Sequence, residues 1–418
     1  MKFPNHDLKD GYQTQCQICG SKDLYDIIDL GIQPLADKLS PIKDNLSETI
    51  SYPLIQCFCK NCGLNQLRYI CPSSVMFGDN YNYKTGVTKE LVDYQARMAS
   101  TLVQELELKE IDLVCDLGSN DGTLLKGFQN CGVKIFGVEP TDISDLANKN
   151  GIPTLRSPFG VKAAKFIVNK IGKAALATAT NVFAHVQELG DFLKGLNILL
   201  EDDGHFCFEN HYLTSIIEDI QYDTIYHEHL RSLSLSAIKK LFSYYNFSLL
   251  RVEETSRYGG NIRVIVKKGA QHKSDPSILK LIEKEKKLFN LNIYNLFKKR
   301  AIESKLDLLK TLIDLKNSKK YVIGYSLPAR AMTMINYVGI DQDLIPYIVE
   351  QPDSLKLNKY VPGTTIPILS NSCLEKEKPE YMLIFAWHLK NEIIDHLRSR
   401  GIKGRCIIPL PKVEIIEL

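Results

Sequence analysis

Apolar and polar positions follow different rhythms along the chain. Up to about residue 80 the apolar runs are short, broken by turn residues and interleaved with paired cysteines. From about residue 81 to 270, strand-length apolar runs such as Leu113-Val114-Cys115-Asp116-Leu117 and Lys134-Ile135-Phe136-Gly137-Val138 alternate with helical spacings. A charged amphipathic stretch then runs from Ser277 to about Lys319. Ile278, Leu281, Ile282, Leu288, Leu291, Ile293 and Leu296 are among its apolar positions, which predicts a helical connector. From Lys320 strand and helix alternate again, through Tyr321-Val322-Ile323-Gly324-Tyr325 and Ile345-Pro346-Tyr347-Ile348-Val349. Such alternation implies parallel sheets and an α/β fold in both halves. The expected domains are 1–80, 81–285 and 286–418.

With 418 residues the chain is too long for one ordinary core. A net charge of +3, with lysines scattered mostly over 277–320, argues against a nucleic-acid partner. No run of about 18 apolar residues suggests a membrane span. The opening Met1–Asp7 is polar and leads into no apolar segment, so a cytoplasmic location is expected. There the eleven cysteines should stay reduced.

Cys16-Gln17-Ile18-Cys19 and Cys59-Lys60-Asn61-Cys62 are two C-x-x-C knuckles, each followed by glycine. Together they offer four thiolates, enough to close a tetrahedral structural Zn2+ site with no open position for catalysis. Cys57 could compete as a ligand, but Cys59 has the better spacing.

Leu113–Leu125 reads as an apolar strand, a glycine loop and a helix start. Asp116, Gly118, Asn120 and Gly122 are placed to meet a ligand at the helix N-terminus. Gly-x-x-x-Gly is not the G-x-G-x-x-G of a dinucleotide fold. Asp116 and Asp121 would repel a pyrophosphate and suit a cationic sulfonium. Glu139, at the tip of the next strand and followed by Pro140, can take both hydroxyls of an adenosine ribose. These features point to S-adenosyl-L-methionine (SAM) rather than NAD.

Asn181-Val182-Phe183-Ala184-His185 follows a further strand, and Tyr226-His227-Glu228-His229 comes later in the chain. Removing a proton beside a ketone needs a positioned base with a pKa near the working pH, and histidine meets that need. A tyrosine hydroxyl could donate to the enolate oxygen. A metal site at His227, Glu228 and His229 is a competing reading, although H-E-H lacks the helical H-E-x-x-H spacing.

Taken together the chain resembles the nucleotide-sugar 3-C-methyltransferases of branched deoxysugar biosynthesis. The resemblance rests on the two cysteine pairs, Asp29–Ala36, Tyr81-Asn82-Tyr83, Asn-Val-Phe-Ala-His, Tyr-His-Glu-His, Pro362–Ile368, Ala386-Trp387 with Glu392-Ile393, and Ile408-Pro409-Leu410-Pro411. It implies a small zinc-binding domain, a class I (Rossmann-like) SAM methyltransferase sheet and a C-terminal Rossmann-like α/β domain. It also implies a nucleotide-diphosphate keto-sugar as substrate, no nucleic-acid or membrane partner, and a monomer. His229 would be the base at C3 of a 4-keto sugar, assisted by Tyr226. Glu228 and His185 would line the pocket, with Tyr81 or Tyr83 near the transferred methyl. Asn181 would join the cofactor residues. Two departures touch substrate-binding loops: Tyr258-Gly259-Gly260-Asn261 stands for His-Gly-Gly-Ser, and Arg330 for a lysine. Arginine grips phosphate as a fork, lysine as a point. The alternatives are an NAD-dependent sugar oxidoreductase or epimerase, a sugar O- or N-methyltransferase, and a non-catalytic zinc-module scaffold.

Overall fold

The computed structural model describes residues 6–43, 49–76, 84–270 and 272–418; Tyr81 and Tyr83 lie outside them. Three strands open the fold: β1 (Leu24–Pro34), β2 (Ser51–Cys59) and β3 (Asn65–Leu67). The two knuckles close on each other at one end of this sheet. Each is a tight turn in which the glycine N–H donates to the first cysteine's carbonyl, Gly20 to Cys16 and Gly63 to Cys59, both at 2.9 Å. The four Sγ atoms lie within 4.8 Å of one another, and the Cys16–Cys62 and Cys19–Cys59 pairs are each 3.5 Å apart. A zinc tetrahedron with arms of about 2.3 Å has edges of about 3.8 Å, whereas a disulfide bond is about 2.05 Å. The cluster therefore fits structural zinc. Cys57 points elsewhere, and burial pushes its thiol up to about 12.

The middle of the chain builds a seven-stranded sheet from β4 (Leu113–Leu117), β5 (Lys134–Glu139), β6 (Thr154–Arg156), β7 (Ala174–Thr180), β8 (Leu200–His211), β10 (Phe247–Thr255) and β11 (Asn261–Lys268). Their order is β10-β11-β8-β7-β4-β5-β6. β4 to β8 run parallel, and β11 enters antiparallel between β8 and β10. The order reverses at β4 and β7, so a crevice opens there above their carboxyl ends. This is the class I methyltransferase sheet. β9 (Arg231–Ser232) leaves this domain and pairs with β3, completing a four-stranded sheet with the zinc-bearing strands.

The amphipathic stretch is helical but broken: α1 (Pro276–Glu285) and α2 (Asn292–Asn317) are separated by a short 3₁₀ turn. α2 is more than a connector. Tyr294, Phe297, Ala301, Ser304, Leu308 and Leu312 recur three or four residues apart, all buried. All but Ser304 join one apolar cluster that runs from Leu54 and Phe58 of β2 to Ile335 and Ile348 of the C-terminal domain. Leu296, one of the apolar positions named above, faces out at 52% exposure because it sits off that stripe.

The C-terminal sheet has six strands, β12 (Val322–Tyr325), β13 (Ile348–Glu350), β14 (Ile368–Ser370), β15 (Tyr381–Ile384), β16 (Arg405–Ile408) and β17 (Glu414–Glu417). Their order is β14-β13-β12-β15-β16-β17, parallel except for β17. It is a second Rossmann-like sheet, with its switch point between β12 and β15.

Elemental analysis of the purified chain should find about one zinc per molecule. Cys59→Ser should reduce that to near zero, and it should abolish methyl transfer along with the folding of the first domain, because small zinc modules draw their folding energy from the metal. A zinc-free sample with full activity would refute the site.

Candidate active site

One cavity of about 560 Å³ is lined by residues of all three domains, among them Asp37, Asp116, Glu139, His229, Arg257 and His388. At one end it holds the glycine loop. Gly118 has φ +82°, and a Cβ there would meet the Val182 side chain at 2.5 Å. Only glycine lets the backbone turn so close to the wall. Gly122, also at φ +82°, is packed against Ile152 and does not line the cavity. It caps the helix Thr123–Asn130 and shapes the loop rather than meeting a ligand.

Glu139, at the end of β5, accepts from the Asn120 N–H at 3.0 Å and from the Thr141 N–H and hydroxyl at 2.9 and 2.6 Å. The Asn120 side chain in turn accepts from the Thr85 N–H at 2.9 Å. Asp116 accepts the Thr178 hydroxyl at 2.7 Å, and burial pushes its carboxyl up to about 7. A cation arriving there would draw it back to the ionised form. Ser119 Oγ is buried with no partner. An open crevice with two acids and an orphaned hydroxyl fits the amino-acid and ribose ends of SAM. Asp116, Gly118, Asn120, Glu139, Pro140 and Asn181 all line it.

His185, Tyr226, Glu228 and His229 meet at the deeper end. His229 Nδ1 lies 2.8 Å from the Thr224 carbonyl oxygen. A carbonyl only accepts, so Nδ1 carries the proton. Nε2 is then a bare lone pair, and the Tyr226 hydroxyl donates to it at 2.8 Å. Burial, with His185, His211 and Arg330 nearby, holds the His229 imidazole well below its usual range. His185 and His211 flank it at ring distances of 4.9 and 5.0 Å and are lowered to about 4 and about 3, chiefly by burial. Glu228 goes the other way: burial, then the Asp37 carboxylate, hold its carboxyl well above the usual range, which favours the neutral form that can donate. His227 turns aside to the Tyr52 carbonyl at 3.3 Å and does not line the cavity. Among the described residues only the four cysteines gather as metal ligands, so the H-E-H metal reading falls away.

Two buried arginines fix the loop that carries His229. Arg231, in β9, donates to the Phe183 and Val186 carbonyls at 2.6 Å each and to Gln17 Oε1 at 2.9 Å. Gln17 lies between the cysteines of the first knuckle, so the zinc module is tied to the base loop. Arg330, from the C-terminal domain, grips Asp223 bidentately at 2.7 Å through Nε and Nη2. It also donates to Gln221 at 3.2 Å and to the Tyr258 carbonyl at 3.0 Å, and Trp387 Nε1 donates to the same Asp223 at 2.8 Å. The expectation that Arg330 forks a phosphate is thus corrected, since its donors are taken by Asp223, Gln221 and Tyr258.

Sequence reasoning passed over His211, Arg257 and His388, all in the cavity wall with Tyr258. Arg257 and His388 each adjoin a motif that was read without them, Tyr258-Gly259-Gly260 and Ala386-Trp387. For His211 the only signal was its position at the tip of β8.

The fold and this site are those of a SAM-dependent methyltransferase. Three family models match the chain in order: a zinc binding domain at residues 16–77, a methyltransferase domain at 91–252 and a C-methyltransferase C-terminal domain at 256–411. A curated relative, the C-methyltransferase NovU of Streptomyces niveus, is 28% identical over 410 residues, covering 96% of this chain and 97% of that protein. Solved structures with weaker likeness include the magnesium protoporphyrin IX methyltransferase of Synechocystis PCC 6803 with bound SAM, at 15% identity and TM-score 0.32, spanning 43% of this chain and 82% of that one. A SAM-dependent methyltransferase of Clostridium acetobutylicum aligns at 14% identity and TM-score 0.35, over 43% and 92% of the two chains. In domain order and over nearly its full length the chain is similar to a C-methyltransferase, with a zinc-binding domain before the methyltransferase domain and a C-methyltransferase C-terminal domain after it.

Breaking one side of a buried ion pair leaves an uncompensated charge. Arg330→Met should therefore cost about 3–5 kcal/mol in urea unfolding. It should also lower activity more than it lowers SAM affinity, because Asp223 precedes the carbonyl that holds His229. A variant as stable and active as the parent would remove the pair from this role.

Proposed function

We propose that the enzyme methylates C3 of a nucleotide-linked 4-keto (deoxy)hexose by enolate formation. The observation that carries this reading is the Thr224–His229–Tyr226 chain of hydrogen bonds, a neutral imidazole with its bare nitrogen in the cavity that also holds the cofactor loop. The Tyr-His-Glu-His and Asn-Val-Phe-Ala-His motifs support the sugar substrate through their resemblance to the nucleotide-sugar enzymes.

SAM, bound at the Gly118 loop, supplies an electrophilic methyl. The chain supplies the nucleophile. A ketone oxygen that takes the Tyr226 hydroxyl as donor releases that hydroxyl from Nε2. Nε2 then accepts the C3 proton, and the electrons of the C–H bond move into the enolate against Tyr226. Nδ1–H remains on the Thr224 carbonyl and holds the ring plane throughout. Glu228, turned into the cavity with its neutral form favoured, is placed to donate to a sugar oxygen. The site disfavours imidazolium until an anionic enolate and substrate charge arrive. The base is thus fully in its active form before binding and gains strength in the complex.

His229→Asn should remove hydrogen exchange at C3 of a 4-keto sugar nucleotide in heavy water and cut turnover by about 10²–10⁴-fold. Exchange at the parent rate would take His229 out of the role. A base must be neutral to act, and a lowered pKa keeps it neutral further into acid. The acid limb of kcat/KM, which reports the free enzyme, should therefore lie below the ordinary histidine value of about 6.5. A limb at or above that value contradicts the burial argument.

A further inference from the structure

We propose that Arg257 anchors the diphosphate of the substrate nucleotide; this rests on the nucleotide-sugar reading above. Four cations line the cavity: Lys84, Arg257, Arg330 and Lys356. Arg330 is spent on Asp223, while Lys356 donates to the Leu327 carbonyl at 2.5 Å and its charge faces the Asp37 and Glu228 carboxyls. Lys84 adjoins Thr85, whose N–H is held by Asn120 of the cofactor loop, so it belongs to that end.

Arg257 is different. Its guanidinium carbon sits 5.1 Å from the Tyr94 ring and 5.4 Å from the Tyr258 ring. Nε is buried with no hydrogen-bond partner; the Glu392 carboxyl feels the guanidinium's charge, but no carboxylate among the described residues forms a salt bridge with it. Two aromatic faces hold the planar fork in place while leaving its donors open. A buried donor left unmatched is costly, and a phosphate offers the paired anionic oxygens to which a guanidinium fork donates bidentately.

Position separates substrate from cofactor. Arg257 lies in the β10–β11 turn. Next to it, the Tyr258 ring stands 5.9 Å from His211, which stands 5.0 Å from His229. This places the turn that carries Arg257 beside the base, with the guanidinium itself against the Tyr258 and Tyr94 rings. The turn is itself rigid: Tyr258 holds φ +54°, Gln221 donates to the Gly259 carbonyl at 2.6 Å, and Arg330 donates to the Tyr258 carbonyl at 3.0 Å. The network that positions the base also positions the anion anchor, so the distance between sugar C3 and diphosphate is read by one scaffold. The substitution of Tyr258 for the family's usual histidine supplies one of the two rings.

Calorimetric titration of the zinc-loaded full chain tests this, with dTDP, UDP, GDP, inorganic pyrophosphate and S-adenosylhomocysteine as probes. Arg257→Met should weaken the best nucleoside diphosphate by about 10- to 100-fold, the loss expected for charge-assisted hydrogen bonds. Binding of S-adenosylhomocysteine should stay within about twofold of the parent, which also shows that the variant is folded. Arg257→Lys should recover only part of the affinity, since it restores charge without the fork. Parental diphosphate affinity in Arg257→Met would overturn the proposal alone. A loss falling on S-adenosylhomocysteine instead would overturn it in favour of the cofactor's carboxylate. A parent enzyme that binds none of the diphosphates would bring down the nucleotide reading, and this inference with it.

Discussion

A single hydrogen bond, from His229 Nδ1 to the carbonyl of Thr224, decides which nitrogen of the proposed base faces the substrate. Reversing that tautomer would put a proton on Nε2 and turn an acceptor into a donor. Everything around the bond serves to hold the carbonyl still. Thr224 follows Asp223, which is locked by Arg330 and Trp387 from the C-terminal domain. On the other side of the histidine, β9 pairs with β3, and Arg231 reaches the zinc knuckle through Gln17. A methyltransferase sheet alone would leave this loop without either support. The two flanking domains are thus parts of the site, and the zinc, though closed to chemistry, is mechanically linked to it.

Charge is handled by a similar economy. Arg231 and Arg330 are both buried, one solvated by carbonyls and the other by a carboxylate, and neither is free to meet a ligand. Burial pulls the Arg231 guanidinium down to about 9. A charge this costly to bury persists where it fixes geometry. Their fields add to burial in keeping the cavity histidines neutral. The result is a group of neutral imidazoles beside an acidic cofactor crevice, the division of labour that taking a proton from carbon and binding a sulfonium require.

Much of this was legible in sequence because its signals are local. Paired cysteines, a strand–glycine–helix loop and a terminal glutamate all lie within a few residues of one another, and the structure assembles them as spacing implies. Orientation was less legible. Tyr226, Glu228 and His229 turn into the cavity while His227 turns out, a result of the β9–β3 pairing with a strand far back in the chain. Arg330 looked like a phosphate fork because its partner, Asp223, lies 107 residues away. An isolated residue such as His211 carries no local pattern, and only the tertiary fold brings it and Arg257 to one wall.

Nitrogen-15 NMR of the His229 ring, in protein labelled at histidine and saturated with S-adenosylhomocysteine at pH 7, tests the central claim most directly. The account predicts a neutral ring with the proton on Nδ1 and a bare, hydrogen-bond-accepting Nε2. A ring protonated at Nε2, or an imidazolium, would contradict it.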